Sequence, residues 1–245
     1  MQDRLIPLDG PANFRDLGGY ETVDGRHVRT GRLFRSDSLS YMSDDDVRHV
    51  MGVLGVRSVI DLRGHGEVSK FTHGPLGAVG VRVAHIPIID ETRPPPDGWE
   101  DAREKPLDDL YLLMLGRFAD RFMAVLRLIA DEDAQPLVFH CAAGKDRTGL
   151  VAMLVLGLLG VDPDVMAADY GITDERMPLL LERHQARATD GAIVEVAEQH
   201  YAVDAVAMRA VIERTTTEYG SIEGYVLAQG LEPEAVAAIR TSLLE

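Results

Sequence analysis

The chain has 245 residues, 46% of them hydrophobic and 27% charged, which is enough to bury a sizeable core in one domain spanning the whole length. A formal charge of −15 disfavours general affinity for nucleic acid or for an anionic membrane, so neither is expected as a partner, and an anionic substrate has to be met by local positive charge. The single cysteine excludes an internal disulfide and a four-cysteine metal cluster, so packing must supply the stability and a reducing compartment fits.

The opening residues, MQDRLIPLDGPANF, lack the basic start and apolar stretch of a secretory signal, and the longest apolar run, Leu150 to Val161, is too short to span a bilayer. A cytoplasmic protein without stable membrane association is therefore expected. Up to about residue 40 the chain reads as short strands and turns. Asp24-Gly25 in GYETVDGRHV predicts a two-residue hairpin, because that pair tolerates the positive φ such a turn needs. In GRLFRS, Arg32 and Arg35 alternate with apolar residues in a predicted strand, which by default puts them towards solvent.

Ser43 followed by Asp46 predicts a capped helix ending near Gly55, and VRSVIDLR a buried strand behind it. VRVAHIPI, residues 81–88, is a further strand, and the proline-rich stretch IDETRPPPDGWEDAREKP forbids regular structure. From Leu107, the residues Leu110, Tyr111, Met114, Phe118, Phe122, Val125, Leu126 and Ile129 keep a helical spacing and predict one amphipathic helix. QPLVFHC returns to a strand. From Gly149 the chain reads as helical, with breaks at Asp162-Pro163, Pro178, Gly191, Gly220 and Gly230 to Pro233. This order predicts an α/β fold: a central, mostly parallel sheet flanked by helices, with a C-terminal helical layer from about residue 160 that is a candidate lid. Ligands of such folds meet the carboxyl ends of the strands.

The chemistry concentrates in HCAAGKDRTG, residues 140–149. With a strand before it and a helix after it, this loop directs its backbone N–H groups, from Ala142, Ala143, Gly144, Lys145, Asp146 and Arg147, to one point at a helix N-terminus. Such a nest holds an anion and favours a thiolate at Cys141. Arg147 can grip two oxygens of a phosphoryl group, Gly144 lets the backbone turn sharply, and Thr148 can donate its hydroxyl to the sulfur when a phosphocysteine is hydrolysed. A packed thiol would explain none of these neighbours, so an exposed Cys141 is expected.

The pattern His-Cys, five residues, Arg-Thr-Gly resembles the signature of the cysteine-dependent tyrosine and dual-specificity phosphatases. With NFRDLGGY, GRLFRS, VIDLR and YGSIEGYVLAQGL, the chain is similar to the bacterial tyrosine/serine protein phosphatase family from about Asn13 to its end. That resemblance implies Cys141 as nucleophile, Arg147 as phosphate clamp and the loop amides as cradle. It implies activity on phosphotyrosine, often on phosphoserine and phosphothreonine, and in some members on phosphoinositides, with no metal or organic cofactor. Related inositol-phosphate phosphatases carry a lysine at the position of Lys145 and a second one where this chain has Ala142, so half of that basic pair is missing. Family members include secreted enzymes, which leaves export without a signal open.

Three aspartates compete as the acid that protonates the leaving group. Asp146 lies inside the loop, where repulsion from a bound phosphate favours its protonated form, and it ranks first. Asp90 follows the strand VRVAHIPI and ranks next, and Asp97 lies on the same loop. His140 reads as a frame residue that fixes the loop by a hydrogen bond. Asn13, Arg15 and Asp16 carry structural and functional readings of equal weight, and Asp61 with Arg63, at a strand's end, is either part of the site or an internal ion pair. A phosphoinositide phosphatase, a catalytically weak phosphate-binding module and a sulfurtransferase are the competing classes. The complete set of Cys141, Arg147 and Thr148 argues against the second, and the Arg-Thr-Gly spacing against the third.

Overall fold

The computed structural model describes residues 4–186 and 204–245, apart from 93, 96, 98 and 100. The elements run β1 (Arg15–Asp16), β2 (Leu33–Ser36), α1 (Asp44–Gly52), β3 (Ser58–Asp61), α2 (His65–Phe71), β4 (Arg82–His85), α3 (Leu107–Arg117), α4 (Ala119–Ala130), β5 (Leu137–His140), α5 (Asp146–Leu158), α6 (Pro163–Gly171), α7 (Met177–Ala186), α8 (Ala205–Tyr219), α9 (Ile222–Ala228) and α10 (Pro233–Leu243). The sheet order is β1-β2-β5-β3-β4; β1 is antiparallel to β2 and the other pairings are parallel. The sheet thus carries helices as the sequence predicts.

Side-chain alternation sorts the core. Leu33, Ile60, Leu137 and Phe139 pack with the large cluster formed by α3–α5 and the C-terminal helices, whereas Phe34, Val59 and Val138 pack on the other face with Val50 of α1. β5 lies between β2 and β3, so its four residues are buried and its end, His140, is level with Ser36 and Asp61. Three strand ends therefore converge on the residue before Cys141. Helix α5 is buried from Thr148 to Leu156, apolar on every side, as a helix enclosed by other helices has to be. No helix among the described residues is long and apolar enough to cross a membrane.

Three local expectations change. The hairpin at Asp24-Gly25 has a longer connection than two residues: Glu21 is bridged to His27, the Thr22 amide donates to the Arg26 carbonyl, and the amide of Gly25, itself left-handed at φ +84°, closes a turn onto the Thr22 carbonyl. The single helix predicted from Leu107 is two, since Phe118 leaves helical geometry at φ −118°, ψ 27° and both segments still bury their apolar stripes. Pro178 lies at the second position of α7, in the first turn, where a missing N–H costs nothing. Gly191 and part of the candidate lid lie outside the described residues. The capping box of Ser43 and Asp46 forms as read.

Candidate active site

Residues 141–145 connect β5 to α5. Gly144 has φ +67°, and a Cβ there would lie 2.6 Å from the Ser36 carbonyl oxygen and 2.7 Å from the Asp37 nitrogen, so the loop passes directly over the end of β2. Every carbonyl of the loop is engaged. His140 Nδ1 lies 3.2 Å from that of Cys141, and the Ser38 amide donates to that of Ala142 at 3.0 Å. The Asn13 side-chain amide donates to those of Ala143 and Gly144 at 3.2 and 3.4 Å, Arg35 to that of Gly144 at 2.9 Å, and the Gly149 amide to that of Lys145 at 2.6 Å. In a trans peptide the N–H points opposite to the C=O, so these bonds turn the following amides to the other side of the loop. There the amides of Ala142, Ala143, Gly144 and Asp146 donate to no backbone carbonyl of the described residues. This is the geometry of an anion nest.

Cys141 is only 2% exposed, which corrects the expectation of an exposed thiol. The loop and the strand ends enclose it, and it lies close enough to Arg147 for a thiolate and the guanidinium to attract each other. Thr148 Oγ1 is buried and without a hydrogen-bond partner among the described residues, so the predicted bond to the sulfur is not formed here.

Arg147 makes a two-pronged bond to Glu67 of α2, 2.5 Å from Nη1 to Oε2 and 3.0 Å from Nη2 to Oε1. Burial works against the guanidinium's charge, but Cys141 and Glu67 outweigh it and hold Arg147 above its ordinary range. Burial likewise pushes Glu67 up, and the bonds from Arg147 bring it below the usual carboxylate range. Two of the five guanidinium N–H groups are spent on Glu67, which leaves three for a ligand. Glu67 was not singled out from the sequence. Its one signal there is its place three residues after Gly64, whose amide it caps at 2.7 Å.

Asp146 begins α5 and is 38% exposed; it accepts from the Tyr111 hydroxyl and lies 3.4 Å from Lys145 Nζ. Tyr111 and Tyr170 share a hydroxyl contact of 2.7 Å, and burial first, then Asp146, raises Tyr111 well above its ordinary value. Tyr111, read from the sequence as part of an apolar stripe, thus also carries a polar function at its tip. Lys145 is buried beside Asp146. Asp90 is elsewhere engaged: Arg121 lies 3.1 Å from Oδ2, the Thr92 hydroxyl 2.6 Å from Oδ1 and His65 3.7 Å from Oδ1. Asp97 is exposed.

Asp61 and Arg63 form an internal ion pair, with Arg63 Nε and Nη2 2.9 and 2.6 Å from the two carboxylate oxygens. Arg63 also donates to Ser38, Ser40 and the Thr72 carbonyl, tying both ends of α2 to the sheet. His140 Nε2 lies 3.7 Å from Asp61, too far for a hydrogen bond, and burial depresses the imidazole to about 4 although Asp61 acts in the opposite sense. A neutral His140 with its proton on Nδ1 satisfies the Cys141 carbonyl, which matches the frame role. Because the unfolded chain protonates His140 near 6.5, its contribution to stability is complete above that pH and is lost as pH falls through about 4. About 3 kcal/mol should disappear across this window. Urea midpoints of wild type and His140→Asn, which keeps the donor without titrating, should diverge above pH 6 and converge near pH 4; parallel curves would contradict the assignment.

The predicted solvent position of Arg35 is corrected: it is 1% exposed, because β2 alternation sends it, like Leu33, to the side of α5 and α6. There Asp169 of α6 meets both Arg35 and Arg15, while Tyr20 donates to it at 2.9 Å. Asp16 caps the amides of Gly18 and Gly31 at 2.7 and 2.6 Å and belongs to the frame of the N-terminal turns. Asp169 was not found from the sequence, where nothing near it signals a partner.

The comparisons with known proteins agree with this geometry. A sequence model of the tyrosine phosphatase family matches residues 6–245. The triple specificity protein phosphatase PtpB of Mycobacterium tuberculosis is 31% identical over 288 residues, covering 97% of this chain and 98% of that one. A tyrosine-protein phosphatase of Nostoc commune is 26% identical over 225 residues, covering 85% of this chain and 73% of its own. With the family's match running over nearly the whole length and the loop built as an anion receptor, the chain belongs to the tyrosine phosphatase family.

Proposed function

We propose that this phosphatase works through a phosphocysteine on Cys141. The observation that carries the reading is the loop itself: the chain's one thiol lies within the field of Arg147, in a loop whose carbonyls are all tied to the surrounding frame. The thiolate attacks phosphorus in line with the ester oxygen, the S–P bond forms as the P–O bond breaks, and water later cleaves the S–P bond and restores the thiolate. Nest amides and the free N–H groups of Arg147 hold the equatorial oxygens, where charge is spread in the transition state. Acid quenching during turnover of an aryl phosphate should leave one phosphoryl group on the peptide that contains Cys141; a label on any other residue would overturn the mechanism.

Asp146 is the acid in this reading and Asp90 the alternative. Asp146 lies within the loop that would receive the phosphoryl group, where it accepts from the Tyr111 hydroxyl and sits 3.4 Å from Lys145 Nζ. Asp90 would first have to leave Arg121, which lies 3.1 Å from its Oδ2. Asp146→Asn is expected to slow phenyl phosphate about a hundredfold and to flatten the basic limb of the kcat profile, while a nitrophenyl ester, whose leaving group needs little help, is affected far less. Equal losses for both esters would return the role to Asp90.

Phosphotyrosine in proteins or peptides is the substrate this reading favours, with tolerance for phosphoserine and phosphothreonine; the similarity to a triple specificity enzyme supports that breadth. Lys145 is buried against Asp146 and not held out towards a second phosphate, which weighs against phosphoinositides as the main substrate. A cytoplasmic site of action is part of this reading, since a single cysteine that must stay reduced fits a reducing compartment.

A further inference from the structure

On the carbonyl side of the phosphate loop lies a buried polar cluster drawn from three distant parts of the chain. Asp169 of α6 divides its carboxylate between two arginines: Oδ1 lies 3.3 Å from Arg15 Nε, and Oδ2 accepts from Arg35 Nη1. Each arginine carries the link onwards. Arg35 Nη2 donates to the Gly144 carbonyl at 2.9 Å. Arg15 Nη1 donates to the side-chain oxygen of Asn13, whose amide end donates to the Ala143 and Gly144 carbonyls. Arg15 Nη2 also reaches the Asp169 carbonyl at 3.0 Å and Thr173 Oγ1 at 3.3 Å. All of these side chains are buried.

We propose that Asp169 is a positioning residue for the phosphate loop, acting through Arg35 and the Arg15–Asn13 pair to fix the peptide planes after Ala143 and Gly144. Those two planes carry the N–H groups of Gly144 and Lys145, and holding their carbonyls backward turns the N–H groups towards the ligand side. Without the carboxylate the two guanidinium groups would face each other unpaired. Burial, and then Arg35, already depress Arg15 to about 10, while the two arginines outweigh burial and hold Asp169 at about 2. The next residue braces the other flank of the loop, since Tyr170 meets Tyr111, which donates to Asp146. Gly149 permits this approach of α6, because a Cβ there would lie 2.8 Å from the Tyr170 ring. One residue pair on α6 therefore reaches both the middle of the loop and its junction with α5, so a helix of the C-terminal layer shapes the nest without touching the ligand.

The inference rests on the reading of Cys141 as nucleophile, and its test separates the two. Cys141 is the only cysteine, so its alkylation by iodoacetamide can be followed in the intact protein across pH, with and without inorganic phosphate. Phosphate that fails to protect wild-type Cys141 would sink the phosphatase reading. Given protection, Asp169→Asn should raise the phosphate concentration for half-protection about ten- to a hundredfold. It should also move the alkylation midpoint to higher pH. Removal of a negative charge acting through space alone would move the midpoint the other way, and loss of stability alone would leave it unmoved. Arg35→Lys keeps the positive charge but replaces the fork that spans Asp169 and Gly144, and it serves if Asp169→Asn does not fold; the same two shifts are expected. A midpoint unchanged or lowered, or wild-type protection by phosphate, in whichever folded variant is measured, would overturn the proposal.

Discussion

Replacing Cys141 by serine should lower kcat for an aryl phosphate by roughly four to six orders of magnitude while leaving KM within about tenfold of wild type. Serine keeps the size of the side chain and the field of Arg147, but its hydroxyl is not ionised at neutral pH and no base adjoins it: His140 is buried, neutral and turned to the Cys141 carbonyl. The amides and Arg147 stay in place, so affinity for the phosphoryl group survives. Steady-state kinetics together with calorimetric binding of a phosphotyrosine peptide would separate the two effects. A serine variant with activity close to wild type would exclude thiolate attack, and an equal loss of binding and turnover would mean that the thiol is part of the frame.

The second large effect concerns Arg147. Lysine at this position keeps a charge but loses the planar fork, and kcat/KM should fall by about two to three orders of magnitude. Glu67→Gln should cost about tenfold, since glutamine can still accept from the Gly64 amide but no longer holds the guanidinium by charge. The double variant decides whether Glu67 acts through Arg147. In that case its effect should nearly vanish once lysine is present, a coupling of about 1 kcal/mol or more. Independent, additive losses would show that Glu67 contributes to α2 alone.

How much of this was legible in advance differs between residues for physical reasons. HCAAGKDRTG was legible because a strand, a tight turn and a helix N-terminus are local, and the residues that bind an anion there must be contiguous. Arg35 was misread because alternation says that a strand residue faces one side or the other, not what stands on that side. Cys141 was expected to be exposed because the residues around it make sense together as a phosphate receptor, yet the loop they form encloses it. Tyr111 satisfied a helical apolar stripe and so gave no sign that its hydroxyl meets Asp146. The single long helix failed at Phe118 because both halves keep their apolar spacing across a break that spacing cannot reveal.

By itself the sequence determined the α/β order of elements, the loop HCAAGKDRTG between a strand and a helix, and the family. The first two follow from contacts between near neighbours or from patterns that repeat along one element, and the family from the resemblance of motifs such as HCAAGKDRTG and NFRDLGGY. The tertiary structure alone decided which distant groups complete the loop: Glu67 on Arg147, Tyr111 on Asp146, and Asp169 on the two buried arginines. A buried charge needs a partner wherever the chain can supply one. That partner is chosen by which helix packs across the sheet end, and separations of 80 residues between Arg147 and Glu67 and 154 between Arg15 and Asp169 leave no trace in local composition.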